Sequence, residues 1–373
     1  MKIKPFGVEM WMNEYENHCQ YNLAETCVES LTIAELLAIC GKSEDSLKDL
    51  LSMKQTYGEI EGSIALREQI SGLFKNQSVS NVLIAHGAIG ANALVYATLV
   101  EPGDHVVSIV PSYQQHYSIP ESYGAEVKKL LLTEQDQFLP DLQQLEELIT
   151  DKTKLISLCN PNNPTGALID EETLKKIVAI ARQHDAWILC DEVYRGTNQQ
   201  GDGFTASIAD LYEKGISTGS MSKAFSLAGL RLGWIVACES LMQKVTHQRD
   251  YNTISVGMID DYFATMALTH RHRILARSHK ITRENLATLD NWVNGEEKIH
   301  YVKPASGTIA LLRYDAKISS RDFCVQLLQS TGVLFTPGSA LDMEGWVRIG
   351  YANTPSIVQQ GLPKVSSFLQ SLS

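Results

Sequence analysis

Gly215-Ile216-Ser217-Thr218-Gly219-Ser220-Met221-Ser222-Lys223 runs from a strand-like segment into a lysine flanked by hydroxyls, and Arg231 follows eight residues on. A lysine amine is a nucleophile once deprotonated, and two hydroxyls with a planar guanidinium suit a phosphate. Alone, the segment reads equally well as a serine-rich turn with a solvated lysine, so its surroundings decide. Apolar runs at Val82–His86, His105–Ile109, Glu126–Leu132, Leu155–Cys159, Ala186–Cys190 and Gly233–Ala237 join Gly215–Gly219 as candidate strands. Between several of them lie amphipathic stretches such as Leu142–Thr150 and Glu171–His184, the latter opened by Asp170 as N-cap. This alternation predicts an α/β protein with a mostly parallel sheet. Asp191 directly follows its strand, and Asn163 and Lys223 lie a few residues past theirs. Ligands of open α/β sheets bind beyond the carboxyl ends of strands, so these side chains are expected around one crevice.

The chain of 373 residues is 44% hydrophobic and 20% charged, enough apolar material for a large core in a globular enzyme. Its net charge of −11, with no basic stripe, argues against nucleic acid. Cys19, Cys27, Cys40, Cys159, Cys190, Cys238 and Cys324 are odd in number and scattered. They match neither a disulfide framework nor a zinc site. No apolar run reaches membrane-spanning length, and Met1–Pro5 leads into no signal-like apolar segment, so a cytoplasmic protein is expected.

After residue 240 the alternation gives way to a long helical region reaching about residue 293. Strand-like runs follow at Thr308–Arg313, Val333–Thr336 and Val347–Tyr351, with a terminal helix after Pro355. The expected division is an N-terminal arm with part of a small domain over 1–41, a large domain over 42–275 and a small α+β domain over 276–373.

Each chemical motif carries two readings. Asn160-Pro161-Asn162-Asn163-Pro164-Thr165-Gly166 is a set of turn formers, or a turn that presents the Asn163 amide to a ligand. Asp191-Glu192-Val193-Tyr194 offers a helix-capping carboxylate, or a carboxylate for a pyridine nitrogen with a phenol three residues on. His86-Gly87-Ala88-Ile89-Gly90 is a common small-residue turn, or a helix N-terminus whose N–H groups meet a phosphate. It is neither a Walker A loop nor GxGxxG. Tyr113 is a buried aromatic or a stacking ring. Arg348, between apolar neighbours, points to solvent or clamps a carboxylate bidentately. A lysine, a carboxylate, a phenol and a phosphate cup together fit pyridoxal 5′-phosphate (PLP), whose aldehyde a lysine captures as a Schiff base.

In chain order Gly87, Tyr113, Asn163, Asp191, Tyr194, Ser220, Lys223, Arg231 and Arg348 form a joint pattern. It resembles the fold-type I PLP-dependent enzymes, in particular the class I/II aminotransferase family, over nearly the whole chain. The resemblance implies a three-layer α/β/α large domain on a mostly parallel seven-stranded sheet, with a smaller α+β domain. It makes Lys223 the Schiff-base lysine, Asp191 the partner of the ring nitrogen, and Asn163 and Tyr194 ligands of the phenolic oxygen. Tyr113 becomes the stacking ring, and Ser220, Ser222, Arg231 and the backbone at Ala88 and Ile89 the phosphate cup. Arg348 becomes the carboxylate clamp. Tyr57, in Tyr57-Gly58-Glu59-Ile60-Glu61-Gly62, resembles a tyrosine that reaches the neighbouring subunit's phosphate, which implies a homodimer with shared sites. Asn22-Leu23-Ala24-Glu25 resembles a substrate-contacting segment, with Ala24 where glycine is commoner.

The implied activity is PLP-dependent transfer of an amino group between an L-amino acid and a 2-oxo acid. A β-lyase, an aminocyclopropane-carboxylate-type synthase or a capreomycidine-synthase-like cyclase would use the same residues. A PLP-sensing regulator would need a basic helix-turn-helix segment that does not fit ahead of this region. A second arginine of the kind a dicarboxylate substrate needs has no motif, with Arg195 and Arg249 as candidates.

Overall fold

The computed structural model describes residues 2–372. Seven strands form the central sheet, in the spatial order Val82–Ala85, Gly233–Val236, Gly215–Ser220, Trp187–Asp191, Thr153–Cys159, His105–Val110, Glu126–Leu131. All pairings are parallel except those of Gly233–Val236, which runs antiparallel to both neighbours. The middle strands are buried on both faces, which is why they read in sequence as unbroken apolar runs. Helices cover both faces. Glu171–Gln183 turns Leu174, Ile177, Val178 and Ala181 inward, and its N-terminus is fixed by Asp170 accepting the Thr173 N–H at 2.7 Å. Gly87–Leu99 packs on the other face through Ala91, Leu94, Val95 and Leu99.

A second, four-stranded sheet has the order Thr336–Pro337, Trp346–Gly350, Ile309–Tyr314, Ile299–Tyr301 and is antiparallel throughout. The expected single strand Val333–Thr336 is divided. Val333–Leu334 pairs in parallel with Tyr21–Asn22, while Thr336–Pro337 joins the antiparallel sheet. Phe335, between the two, is fully buried and its carbonyl accepts the Trp11 indole N–H at 2.9 Å. The long helical region after residue 240 is likewise three helices, Glu239–Asp250, Met258–Thr269 and Arg271–Gly295.

The N-terminal segment is shared between two cores. Trp11, Tyr21, Leu23 and Ala24 pack with Phe335, Tyr351 and the terminal helix Pro355–Ser371. The helix Ile33–Ile39 instead buries Leu36 and Leu37 against Ile70, Trp234 and Phe263, which places its end of the 1–41 segment on the sheet-rich body. Helix Arg271–Gly295 runs across the expected division at 275/276. Ile274 and Leu275 sit in one core and Leu286, Leu289 and Val293 in the other.

Candidate active site

At the carboxyl ends of the central strands lies a cleft of about 290 Å³. Ala24, Ala88, Ile89, Tyr113, Asn163, Asp191, Tyr194, Ser220, Ser222, Lys223, Arg231 and Arg348 all line it. These residues come from segments more than 300 positions apart, and only the sheet topology brings them together.

Asp191 ends its strand beside Cys159 and Thr218 of the adjoining strands. The carboxylate is 4% exposed and heavily held. Its Oδ2 accepts from Asn92 Nδ2 at 2.8 Å, and Oδ1 accepts the Val193 N–H at 3.1 Å. Thr218 donates to the Asn92 carbonyl at 2.7 Å and so fixes which end of that amide faces Asp191. His116 Nε2 stands 3.5 Å from Oδ2, while its Nδ1 meets Ser157 at 2.9 Å and Tyr96 at 3.0 Å. Asn92 and His116 carry no sequence motif; they sit within helical stretches and gain a role only because both helices pack over this strand end. Glu192, next in sequence, turns the other way. It accepts from Ser207, Ser217 and the Ile208 N–H, a buried structural carboxylate.

The loop after Thr153–Cys159 is both a turn and a presenter of Asn163. Asn160 closes it with a pair of bonds to Ile169, and Asn162 accepts from Thr165 Oγ1 at 2.7 Å. Asn163 Oδ1 accepts from Arg348 Nη1 at 3.2 Å, which leaves the amide nitrogen as the group free to donate to a ligand. Tyr194 is 1% exposed, and its hydroxyl makes no hydrogen bond among the described residues. Burial raises its pKa, so it is a neutral donor at physiological pH.

Arg348 does not point to solvent. It is 2% exposed on the strand Trp346–Gly350, with Nη2 donating to Thr336 Oγ1 at 3.2 Å and Nε unpartnered. Its hydrogen-bond acceptors are both neutral, and burial lowers its pKa against the opposing pull of Glu9 and Glu25. It is poised for an incoming anion. Arg195 and Arg249 do not reach the cleft. Arg195 bonds the Thr205 and Leu73 carbonyls, and Arg249 those of Ile84 and Ile60.

Helix Gly87–Leu99 begins at the cleft, directed at Ser220, Ser222 and Arg231. Gly87 has φ +66°, and a Cβ there would sit 3.0 Å from Arg231 Nη2. A Cβ on Gly233 would come within 2.3 Å of the Gly87 carbonyl carbon and 2.6 Å of the Ala88 nitrogen. Both positions need glycine for the helix start, the antiparallel strand and the arginine to converge. Backbone N–H groups, two hydroxyls and a guanidinium lining one end of the cleft suit an anion.

Lys223 Nζ donates to Thr26 Oγ1 at 2.5 Å and to Cys27 Sγ at 3.5 Å, and lies 5.9 Å from the Tyr194 ring centre. Burial acts to lower its pKa, but Cys27, Tyr194 and Glu25 hold it above the usual lysine value. Burial also pushes the Cys27 thiol up to about 11, so Glu25 is the formal anion of the three. Glu25 responds in kind. Burial acts to raise its pKa, but Lys223 and the Cys27 and Thr26 N–H groups leave it lowered.

Two cleft features were not legible in the sequence. The helix Gly7–Tyr15 roofs the cleft with Val8, Glu9 and Met12, and Glu9 accepts the Tyr113 hydroxyl at 2.7 Å. Phe6 packs on Tyr113 at a centroid distance of 4.7 Å. Tyr57, by contrast, lies outside the cleft. It is 69% exposed and lines a separate cavity of about 620 Å³ with Met258, Tyr262 and Val256.

Residues 43–361 match the model of the family described as aminotransferase class I and II. A PLP-dependent aminotransferase from Streptococcus suis 89-1591 superposes with a TM-score of 0.97. It is 42% identical, with 100% of this chain and 99% of that one covered. Capreomycidine synthase of Streptomyces vinaceus is 27% identical over 97% of this chain and 93% of its own length. An aspartate aminotransferase of Thermotoga maritima is 26% identical over 88% and 87%.

Proposed function

The chain belongs to the aminotransferase class I and II family, and from that membership we propose that it moves an amino group between an L-amino acid and a 2-oxo acid. The cofactor of this family is PLP, and the residues present fit it. An anion site, an anchored carboxylate, two free donors and a lysine line one cleft with a buried arginine whose Nε is unpartnered. When bound, PLP supplies an aldehyde that takes up amines and a ring that accepts an electron pair.

In this reading Ser220, Ser222, Arg231 and the N–H groups of Ala88 and Ile89 hold the phosphate. Asp191, oriented by Asn92 and the Val193 N–H, would face the ring nitrogen, with His116 Nε2 behind it at 3.5 Å. The Asn163 amide nitrogen and the Tyr194 hydroxyl donate to the phenolic oxygen, and Tyr113 covers the ring face. Arg348 grips the substrate α-carboxylate, while Ala24 bounds the substrate side. Lys223 would be the covalent anchor of the cofactor, and its Nζ would take up the proton that leaves the substrate α-carbon. Such positioned proton transfer is worth roughly 10²–10⁴-fold. Val8, Glu9 and Met12 of the helix Gly7–Tyr15 line the cleft above it.

The observation that carries the proposal is the gathering of all these groups, from eight separate segments of the chain, around one lysine. Tyr57 fits a shared site in a homodimer. It is exposed, as are Ile60, Ile64, Ile254 and Ile259, and its side chain is available to a second copy of the chain.

A second reading, cyclisation of an amino acid, is favoured by the match to capreomycidine synthase over 97% of the chain. The two separate in a single-turnover screen of the holoenzyme against individual amino acids. One equivalent of 2-oxo acid per active site supports amino transfer. A cyclised amino acid, with no 2-oxo acid from any donor, sinks it.

A further inference from the structure

Three carboxylates line the cleft without an assigned task. Glu9, Met12 and Glu16 recur at helical spacing along Gly7–Tyr15 and the turn after it, and Glu25 stands beside Lys223. Glu14, on the outer side of the same helix, pairs with Arg321 at 3.2 Å. Glu9, Glu16 and Glu25 form no ion pair among the described residues. Glu9 receives only the neutral Tyr113 hydroxyl, and Glu25 only the Thr26 and Cys27 N–H groups, both on Oε1. Glu16 accepts no hydrogen bond on its side chain among the described residues. Its burial, with Glu25 and Glu9 close by, raises its pKa. The three do not form a metal-ligating cluster, and none occurs among the described residues.

The cations of the cleft offset only part of this charge: Lys223 lowers the pKa of Glu25, and Glu9 and Glu25 act on Arg348, but none of the three glutamates meets a cation at ion-pair distance among the described residues. Lys223, Arg231 and Arg348 are the cationic residues lining the cleft. Arg348 is the independent mark of a ligand: nine-tenths and more buried in the same wall, Nε unpartnered, and without a carboxylate at ion-pair distance among the described residues. A ligand that satisfies both features carries an anion for Arg348 and a cation for the glutamates.

We propose that the amino-acid substrate of this enzyme has a positively charged side chain, an ammonium or guanidinium received by Glu9 and Glu16 on the roof helix and by Glu25 beneath. This rests on the amino-acid chemistry proposed above and names its substrate class. Binding replaces mutual repulsion among carboxylates with charge-assisted hydrogen bonds, the stronger kind.

The test compares near-isosteric ligands on the holoenzyme: L-arginine against L-citrulline, and L-lysine against L-norleucine, with L-glutamate as the acidic member. Dissociation constants come from the change in cofactor absorbance, and 2-oxo acid release is measured in parallel. The cationic member of at least one pair should bind about 10–100-fold tighter than its neutral isostere, the range of one charge-assisted bond. Glu16→Gln and Glu9→Gln should each cut that ratio by about tenfold, chiefly by weakening the cationic member. Neutral or acidic members binding as tightly as the cationic ones overturn the proposal, as does an unchanged ratio in both folded variants. Tight cation binding without 2-oxo acid supports the substrate class and counts against amino transfer. Oxo acid formed fastest from neutral donors, with no cationic preference in binding, overturns the class and leaves amino transfer standing.

Discussion

Replacing Arg348 should separate function from stability. The guanidinium makes two hydrogen bonds, both to neutral acceptors at 3.2 Å, and no carboxylate stands at ion-pair distance among the described residues. Losing two bonds from an ionised donor costs about 1.5–3 kcal/mol each. Relief of the buried charge's desolvation returns about 1–4 kcal/mol, judging from cases where apolar residues replace buried ion pairs. The two largely offset, so Arg348→Met should fold with a Tm within a few degrees of that of the parent. The substrate sees no such balance. Two charge-assisted bonds to an α-carboxylate are worth about 3–6 kcal/mol together, roughly 10²–10⁴-fold in kcat/KM. Arg348→Lys, keeping the charge but not the fork, should recover only part of this. Differential scanning fluorimetry and donor half-reaction kinetics on the same preparations read both effects. A Tm drop of about 10 °C or more with a kcat/KM loss under tenfold would refute the reasoning, because Arg348 would then be a structural brace.

Borohydride treatment of the holoenzyme should fix a phosphopyridoxyl group on Lys223, and Lys223→Ala should lose turnover. Peptide mass mapping that finds the group on another lysine contradicts the assigned anchor. Glu16 has a folded-state pKa raised above 4.5, so its ionised form opposes folding; the penalty is fully present above the raised pKa and vanishes as pH falls below 4.5. Glu16→Gln should accordingly raise Tm at pH 7.5 and leave it unchanged at pH 4, and an equal shift at both values disproves the electrostatic cause. Mixing Tyr57→Ala with Lys223→Ala subunits should produce hybrid dimers with one intact and one doubly damaged site, more active than either parent. Hybrids no better than the Tyr57→Ala parent argue that the tyrosine does not cross between subunits.

The sequence carried the sheet well because its middle strands are buried on both faces and advertise themselves as apolar runs. Asp191, Asn163 and Lys223 were legible for a related reason: polar residues placed directly after such runs stand out. The divided strand at Val333–Pro337 was not legible, since Phe335 keeps the apolar run continuous while its neighbours change partners. His116 and Asn92 were invisible because each is one polar residue in an ordinary helix, given meaning by a carboxylate 75 and 99 positions further on. Glu9 was hidden for the same reason. Its place over Tyr113 depends on how the helix Gly7–Tyr15 lies across a distant loop. Arg348 was visible as a residue but not as a buried one, because a single arginine between apolar neighbours does not reveal which side of its sheet is covered.

The helix Arg271–Gly295 is a mechanical linkage. Its 25 residues extend about 37 Å at ~1.5 Å per residue. Leu275 is clamped in one core and Val293 in the other, roughly 27 Å apart along the axis. Each degree of bend near Leu275 then swings Val293 by about 0.5 Å on that arm. The sheet bearing Arg348 shares the core that holds Val293, so this one helix ties the position of that sheet to the core around Leu275 and to the loop that carries Lys223, which Ser278 bonds through the Ala224 carbonyl.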